Sequence, residues 1–332
     1  MEQCLKNKIL KMISNYEELG KTKRHNNNLI KACNALSLAI ENRVIDAKST
    51  NEAIKVINKN TSFFSVFKND NVLLSLATTI SLTHNPKLVF LEIKGVYEKL
   101  QKYFSSSEYL VMAANIIYKH GKKYGIYETV ERTKISYELM RKNHKFLTSK
   151  EDYCAAAMIA MTCENLDETF NGIEKNYKYL SENGFNKSNE LQTLTHMLSF
   201  ANGTVEEKAL KVVKLYKFLK ENDFPLKGQL LPLVGIVTSI VNDNDKFLDD
   251  VKSVDDELEK NGFGNFVFGK DNRAVVSVAL TLSSYTDSMK NKVVNGLIES
   301  IATNTITNVL IETQIINIAA IASLIYVSTK SN

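Results

Sequence analysis

Few residues in this 332-residue chain combine the types and the spacing that chemistry requires. Gln192 and His196 stand four apart, so on a helix they share a face, and His144 and Asp152 lie one sequence repeat upstream. Two imidazoles, a carboxylate and an amide could ligate a metal or pass a proton if all four converged. Counted from the repeated phenylalanines described below, Asp152 and His196 differ by about five residues, or ~7 Å along neighbouring parallel helices. That is long for a direct bond. A buried polar side chain needs a partner in any case, so the plainer expectation is a hydrogen bond between helices.

The string Asp255-Asp256-Glu257-Leu258-Glu259 fits the DDxxE pattern with which helical isoprenoid enzymes hold magnesium diphosphate, making Asp255, Asp256 and Glu259 candidate ligands. No second magnesium motif accompanies it, and a solvated acidic helix produces such strings on its own. Basic strings at 21–25, 119–124 and 141–145 offer phosphate contacts, and the last two, at helix ends one repeat apart, could form one ridge on which Tyr124 stacks a base. Lysines near helix C-termini are also favoured by the helix dipole, so nucleic acid is not the favoured partner. The chain contains no GxGxxG, P-loop, HExxH or GxSxG string. No cofactor or metal is expected.

Charge is unevenly spread. Residues 1–150 carry 25 Lys+Arg against 13 Asp+Glu, a net +12, and residues 151–332 carry 17 against 24, a net −7. The four cysteines form no CxxC pair and read as reduced thiols of a cytoplasmic protein. No uninterrupted apolar run opens the chain. The most hydrophobic stretch, 309–327, has an uncharged apolar part of 13 residues, short of the ~20 of a bilayer span, and is expected to be a buried last helix.

The elements that must position these residues repeat. Tyr177-x-x-Leu180-x4-Phe185 matches Tyr216-x-x-Leu219-x4-Phe224 and Asp255-x-x-Leu258-x4-Phe263, with looser copies ending at Phe63, Phe104 and Phe146. Six units of about 39–42 residues are expected, with 264–332 capping the stack as C-terminal helices. The signature is a helix end: Gly184 and Gly262 can adopt the left-handed conformation, and the following Phe folds back onto the Leu three residues from the helix end. Asp223 takes the same place at higher cost.

After each Phe comes an apolar segment, at 72–82, 108–118, 152–162, 190–201, 229–241 and 274–284, with the look of a helix covered on several sides. Before each Phe comes an amphipathic one, as at 205–221, where Leu210, Val213, Tyr216 and Leu219 keep helical spacing. Ser149 and Asp152 suit a capping box, and Pro232 should kink its helix. The reading is an all-α chain of stacked αα-hairpins, one helical-repeat domain resembling HEAT or armadillo solenoids, with a closed α/α ring as the alternative.

Phe146-Leu147-Thr148-Ser149-x-x-Asp152-Tyr153, followed by Leu191-Gln192-x-Leu194-x-His196-x-Leu198, resembles the central signature of an uncharacterised bacterial domain-of-unknown-function family common in low-GC Gram-positive organisms. The resemblance implies a bacterial, cytoplasmic protein and attaches no activity. With a repeat and no catalytic constellation, the expected function is non-enzymatic binding of a protein or peptide partner. The alternatives are a metal-dependent helical enzyme with an acidic cavity, or an anion or nucleic-acid binder using the basic half.

Overall fold

The computed structural model describes residues 3–22, 28–121, 123–201, 203–264 and 268–293, and all its regular elements are helices. The candidate last helix at 309–327 lies outside the described residues. Among the described residues fourteen α-helices alternate between two layers. The outer layer holds α1 (Gln3–Gly20), α3 (Ala47–Lys59), α5 (Pro86–Leu100), α7 (Ile126–Asn143), α9 (Leu166–Glu182), α11 (Val205–Glu221) and α13 (Asn244–Lys260). The inner layer holds α2 (Asn28–Ile40), α4 (Asp70–Ser81), α6 (Glu108–His120), α8 (Tyr153–Thr162), α10 (Asn189–Leu198), α12 (Leu231–Ile240) and α14 (Lys270–Val293).

Composition sorts the helices into layers. In α8 every residue from Tyr153 to Met161 is buried, and in α6 every residue from Tyr109 to Ile117, so these helices are dry on all sides. The outer helices bury one stripe. In α11 that stripe is Ala209, Val212, Leu215 and Leu219. The stripe anticipated from spacing was displaced by one residue: Val213 and Tyr216 are half-buried at its edge and Leu210 is exposed.

Each outer helix packs on the inner helix that follows it, and inner helices pack in sequence from α2 to α14. The last then meets the first. α14 packs on both α2 and α1, and Lys8 on α1 reaches the carbonyl of Ser283 at 3.4 Å. The stack therefore closes into a ring of seven hairpins, the alternative to an open solenoid, with α14 meeting the first unit; residues 294–332 of the expected C-terminal cap lie outside the described residues. A seventh hairpin, α1–α2, precedes the six read from phenylalanines. Its signal in the chain is Tyr16-x-x-Leu19, the first half of the repeated signature.

The outer helices end three or four residues before each signature phenylalanine. Where a left-handed residue follows, the closure is the expected one. Gly184, Asp223 and Gly262 have φ of 92°, 58° and 93°. The N–H groups of Phe185, Phe224 and Phe263 then donate to the carbonyls of Leu180, Leu219 and Leu258 at 3.1, 2.9 and 3.0 Å. Phe104 instead donates to Leu100 at 3.0 Å. Phe63 and Phe146 depart from the expectation and stand in solvent, 82% and 98% exposed. No left-handed residue follows α3, α5 or α7, and of these three ends only that of α5 turns its phenylalanine back onto the helix. A 3-10 turn at Val66–Lys68 carries Phe67 into the core in place of Phe63, and half-buried Leu147 substitutes for Phe146.

Four of the joints between units share one contact: the aromatic that ends a unit meets the tyrosine of the next outer helix. Ring centroids lie 4.9 Å apart for Phe67 and Tyr97, 5.4 Å for Phe104 and Tyr137, and 4.9 Å for Phe185 and Tyr216. Between α7 and α9 the imidazole of His144 serves, 4.2 Å from Tyr177. The seam between the last unit and the first uses the same pair, Phe263 on Tyr16. Pro86 opens α5, and Pro232 sits in the first turn of α12 after a 3-10 turn at Gly228–Leu230. No kink is required of Pro232, because a proline there removes no helical hydrogen bond.

Candidate functional site

The turn from α7 to α8 gathers three of the four central candidates. Ser149 and Asp152 form the anticipated capping box around the 3-10 turn Lys150–Asp152, with Asp152 Oδ2 accepting from the Ser149 N–H at 2.8 Å. Burial raises the Asp152 carboxyl to about 7, working against that N–H and assisted by Glu151. The His144 carbonyl accepts from the Thr148 hydroxyl at 2.9 Å, and Thr148 Oγ1 in turn accepts from Gln192 Nε2 at 3.1 Å. Gln192 is thus joined to the turn by a bond between neighbouring units, the kind of contact the spacing favoured.

His196, one turn along from Gln192 on α10, is buried, and its ring stands edge-on to Phe170 at 6.5 Å. Burial, with the nearby His144 adding to it, lowers the His196 imidazole to about 3, so the ring is neutral at physiological pH. His196 Nδ1, Gln192 Oε1 and Asn176 Oδ1 are buried without hydrogen-bond partners. His144 Nε2 lies 3.0 Å from Glu174 Oε2, near enough to attract but not aligned as a hydrogen bond. Asp152 is drawn into the cap. Thr148, Glu174 and Asn176 complete the cluster. Thr148 belongs to the first string of the central signature quoted above; Glu174 and Asn176, close before Tyr177, carry no distinguishing signal.

The DDxxE string is used differently. Asp255 Oδ2 lies 2.9 Å from Arg273 Nε and Asp255 Oδ1 accepts from Ser277 at 3.2 Å, while Glu259 lies 3.3 Å from Arg273 Nη1. Arg273, on α14, is only 3% exposed and also donates to the carbonyl of Phe263 at 3.2 Å. The two carboxylates are therefore counter-ions of a buried guanidinium that holds the seam phenylalanine. Asp256 points to solvent. A lone arginine opening an apolar helix was the available signal for this pairing. Among the described residues no group of three or more His, Cys, Asp or Glu is placed to hold a metal.

The basic strings at 119–124 and 141–145 do not form one ridge. They flank α7, and an 18-residue helix separates its ends by about 27 Å. Tyr124 is instead covered by the Arg132 guanidinium, 4.4 Å from its centroid, so its face is not offered to a base. The four cysteines are free, and burial pushes the Cys33 and Cys154 thiols up to about 12, which makes them inert. Among the described residues no helix is long and apolar enough to cross a membrane.

These features define a class: a closed ring of α/α hairpins whose conspicuous polar residues fasten helices together. The chain belongs to the family of proteins of unknown function DUF4003, whose model matches residues 15–316, in agreement with the resemblance seen in the central signature. No curated protein and no solved structure shows significant similarity to it.

Proposed function

We propose that the chain is one helical-repeat domain that binds a protein or peptide partner in the bacterial cytoplasm and does not act as an enzyme. The observation that carries this reading is the employment of the candidate groups. Asp152 closes a cap, Gln192 bridges two units, and Asp255 and Glu259 neutralise Arg273. Groups committed in this way are poor acids, bases or ligands, because drawing them toward a substrate would leave buried partners unpaired. The outer layer offers contact surface instead. Leu88 and Leu91 on α5 and Tyr127 and Ile135 on α7 are exposed apolar side chains on adjacent helices, as suits a repeat protein that binds along its flank.

The test has two arms. Crosslinking in the native cell identifies a partner, and calorimetry with the purified pair measures the affinity of Leu91→Asp and Ile135→Asp, each expected to weaken binding about tenfold or more. A thermal-shift series with Mg²⁺, Zn²⁺ and diphosphate is expected to give no saturable stabilisation. A saturable response would favour the metal-dependent enzyme.

A further inference from the structure

The turns that follow α3, α5 and α7 stand side by side on one rim of the ring, because those three helices pack in sequence and run in the same direction. At interhelical spacings of 8–10 Å the three turns extend over about 20 Å. Phe63 and Phe64 project from the first and Phe146 from the third, 82%, 92% and 98% exposed. Half-exposed Tyr103 lies in the turn between them. Phenylalanines so fully offered to water are costly unless something covers them.

Their surroundings point to what does. Exposed Lys59, Lys99, Lys102, Arg141, Lys142, Lys145 and Lys150 border the aromatic tips, and the segments 59–69, 99–107 and 141–150 contain no carboxylate. The acids around them are Glu98, paired with Lys94, Glu131, which accepts from the Tyr103 hydroxyl, Glu174, 3.0 Å from His144, and those that open the following helices. Of the last, Glu108 accepts from Asn69 and Glu151 from Tyr109, while Asp70 is exposed. The rim also belongs to the half of the chain with net charge +12, so the field of the whole molecule turns this side toward a negative surface.

We propose that this rim docks the ring onto an anionic lipid bilayer, the phenylalanine tips entering the interface while the lysines and arginines face the headgroups. Apolar insertion or a polybasic patch alone gives weak, reversible attachment, and stable attachment takes two signals together. Both are present here, and no spanning helix is needed. Single-stranded nucleic acid fits less well. The Phe63 and Phe64 rings meet edge to face, 5.0 Å apart at 88°, forming a wedge instead of two parallel platforms for bases.

Sedimentation of the full chain with vesicles tests this. At low salt the protein is expected to pellet with phosphatidylcholine–phosphatidylserine vesicles at about 7:3 and to stay in solution with phosphatidylcholine alone. The triple variant Phe63→Ser/Phe64→Ser/Phe146→Ser changes only exposed side chains, and unchanged circular dichroism and melting temperature would show it folded. Its partition coefficient should fall about tenfold or more, and Lys99→Glu/Lys102→Glu/Arg141→Glu/Lys142→Glu should remove binding altogether. Absence of binding to the anionic vesicles overturns the proposal, as does equal binding by the triple variant. Phenylalanine-dependent binding of a single-stranded oligonucleotide without vesicle binding would overturn it in favour of nucleic acid. None of these outcomes bears on a protein partner at α5 and α7.

Discussion

The ring of Phe263, at the end of the last outer helix, lies 4.8 Å from the ring of Tyr16, on the first. The same aromatic pair joins Phe185 to Tyr216 inside the stack, at 4.9 Å. The seam is thus built like an internal joint.

Replacing Phe263 with Ala should cost about 3–5 kcal/mol, the range for a buried phenylalanine, and Phe185→Ala a similar amount. A double-mutant cycle of Phe263→Ala with Tyr16→Ala should show coupling of about 1 kcal/mol in urea unfolding. Hydrogen exchange should quicken in α1 and α13 together. A loss confined to α13 would mean that the two ends are independent.

Arg273 is the costliest group at that seam to leave unmatched. Asp255→Asn keeps the shape of the side chain but removes a charge facing a buried guanidinium, so a loss of about 3 kcal/mol or more is expected. Arg273→Met removes the need for the counter-ion and, combined with Asp255→Asn, should recover much of the deficit. Urea midpoints of the single and double variants check this. Additive losses would show that the two groups act separately.

Asp152 and His196 give the fold opposite pH dependences. Burial raises Asp152 to about 7 from an ordinary 3.8, so the folded state holds a proton that the unfolded chain releases, and stability falls as pH rises between about 4 and 7. Burial lowers His196 to about 3 from 6.5, so its contribution is full above about 6.5 and is lost as pH falls toward 3. Asp152→Asn should flatten the first slope, worth on the order of 2–4 kcal/mol across the window, and His196→Gln the second. Melting temperatures from pH 4 to 8 for the two variants and the wild type report both.

Two glycines separate space from propensity. A Cβ at Gly235 on α12 would come within 2.9 Å of the Leu194 carbonyl oxygen and 3.0 Å of Met197 Cβ on α10. Gly235→Ala should therefore force those helices apart and cost about 1–3 kcal/mol. Gly95, in the middle of α5, has nothing within 4 Å of its Cβ position, and Gly95→Ala should stabilise by about 0.5–1 kcal/mol. Thermal unfolding of both variants decides it.

The layering was legible because the inner helices are far more apolar than the outer ones, α6, α8 and α12 on nearly every side, and the helix ends because Gly184, Asp223 and Gly262 mark left-handed turns in the chain itself. Phe63 and Phe146 misled because they keep the repeat spacing while Phe67 and Leu147 take the inward place, and spacing alone does not bring an aromatic inward. Closure was not legible. It depends on small rotations accumulated over seven units, and none of these is written in the spacing of any one. The polar candidates were found by type but only half understood. The Gln192 bond to Thr148 follows from adjacency of units, whereas the capture of Asp255 and Glu259 by Arg273 depends on which face α14 presents to α13 within their hairpin.

Closure also fixes how the family can change. An open array gains or loses a unit by duplication at a cost of one interface, and its length drifts. Here every inner helix is flanked on both sides, and an added or deleted hairpin would spoil the angle at which α14 returns to α2. Variation is left to the turns on the two rims, where insertions alter what the molecule touches without altering the number of its members.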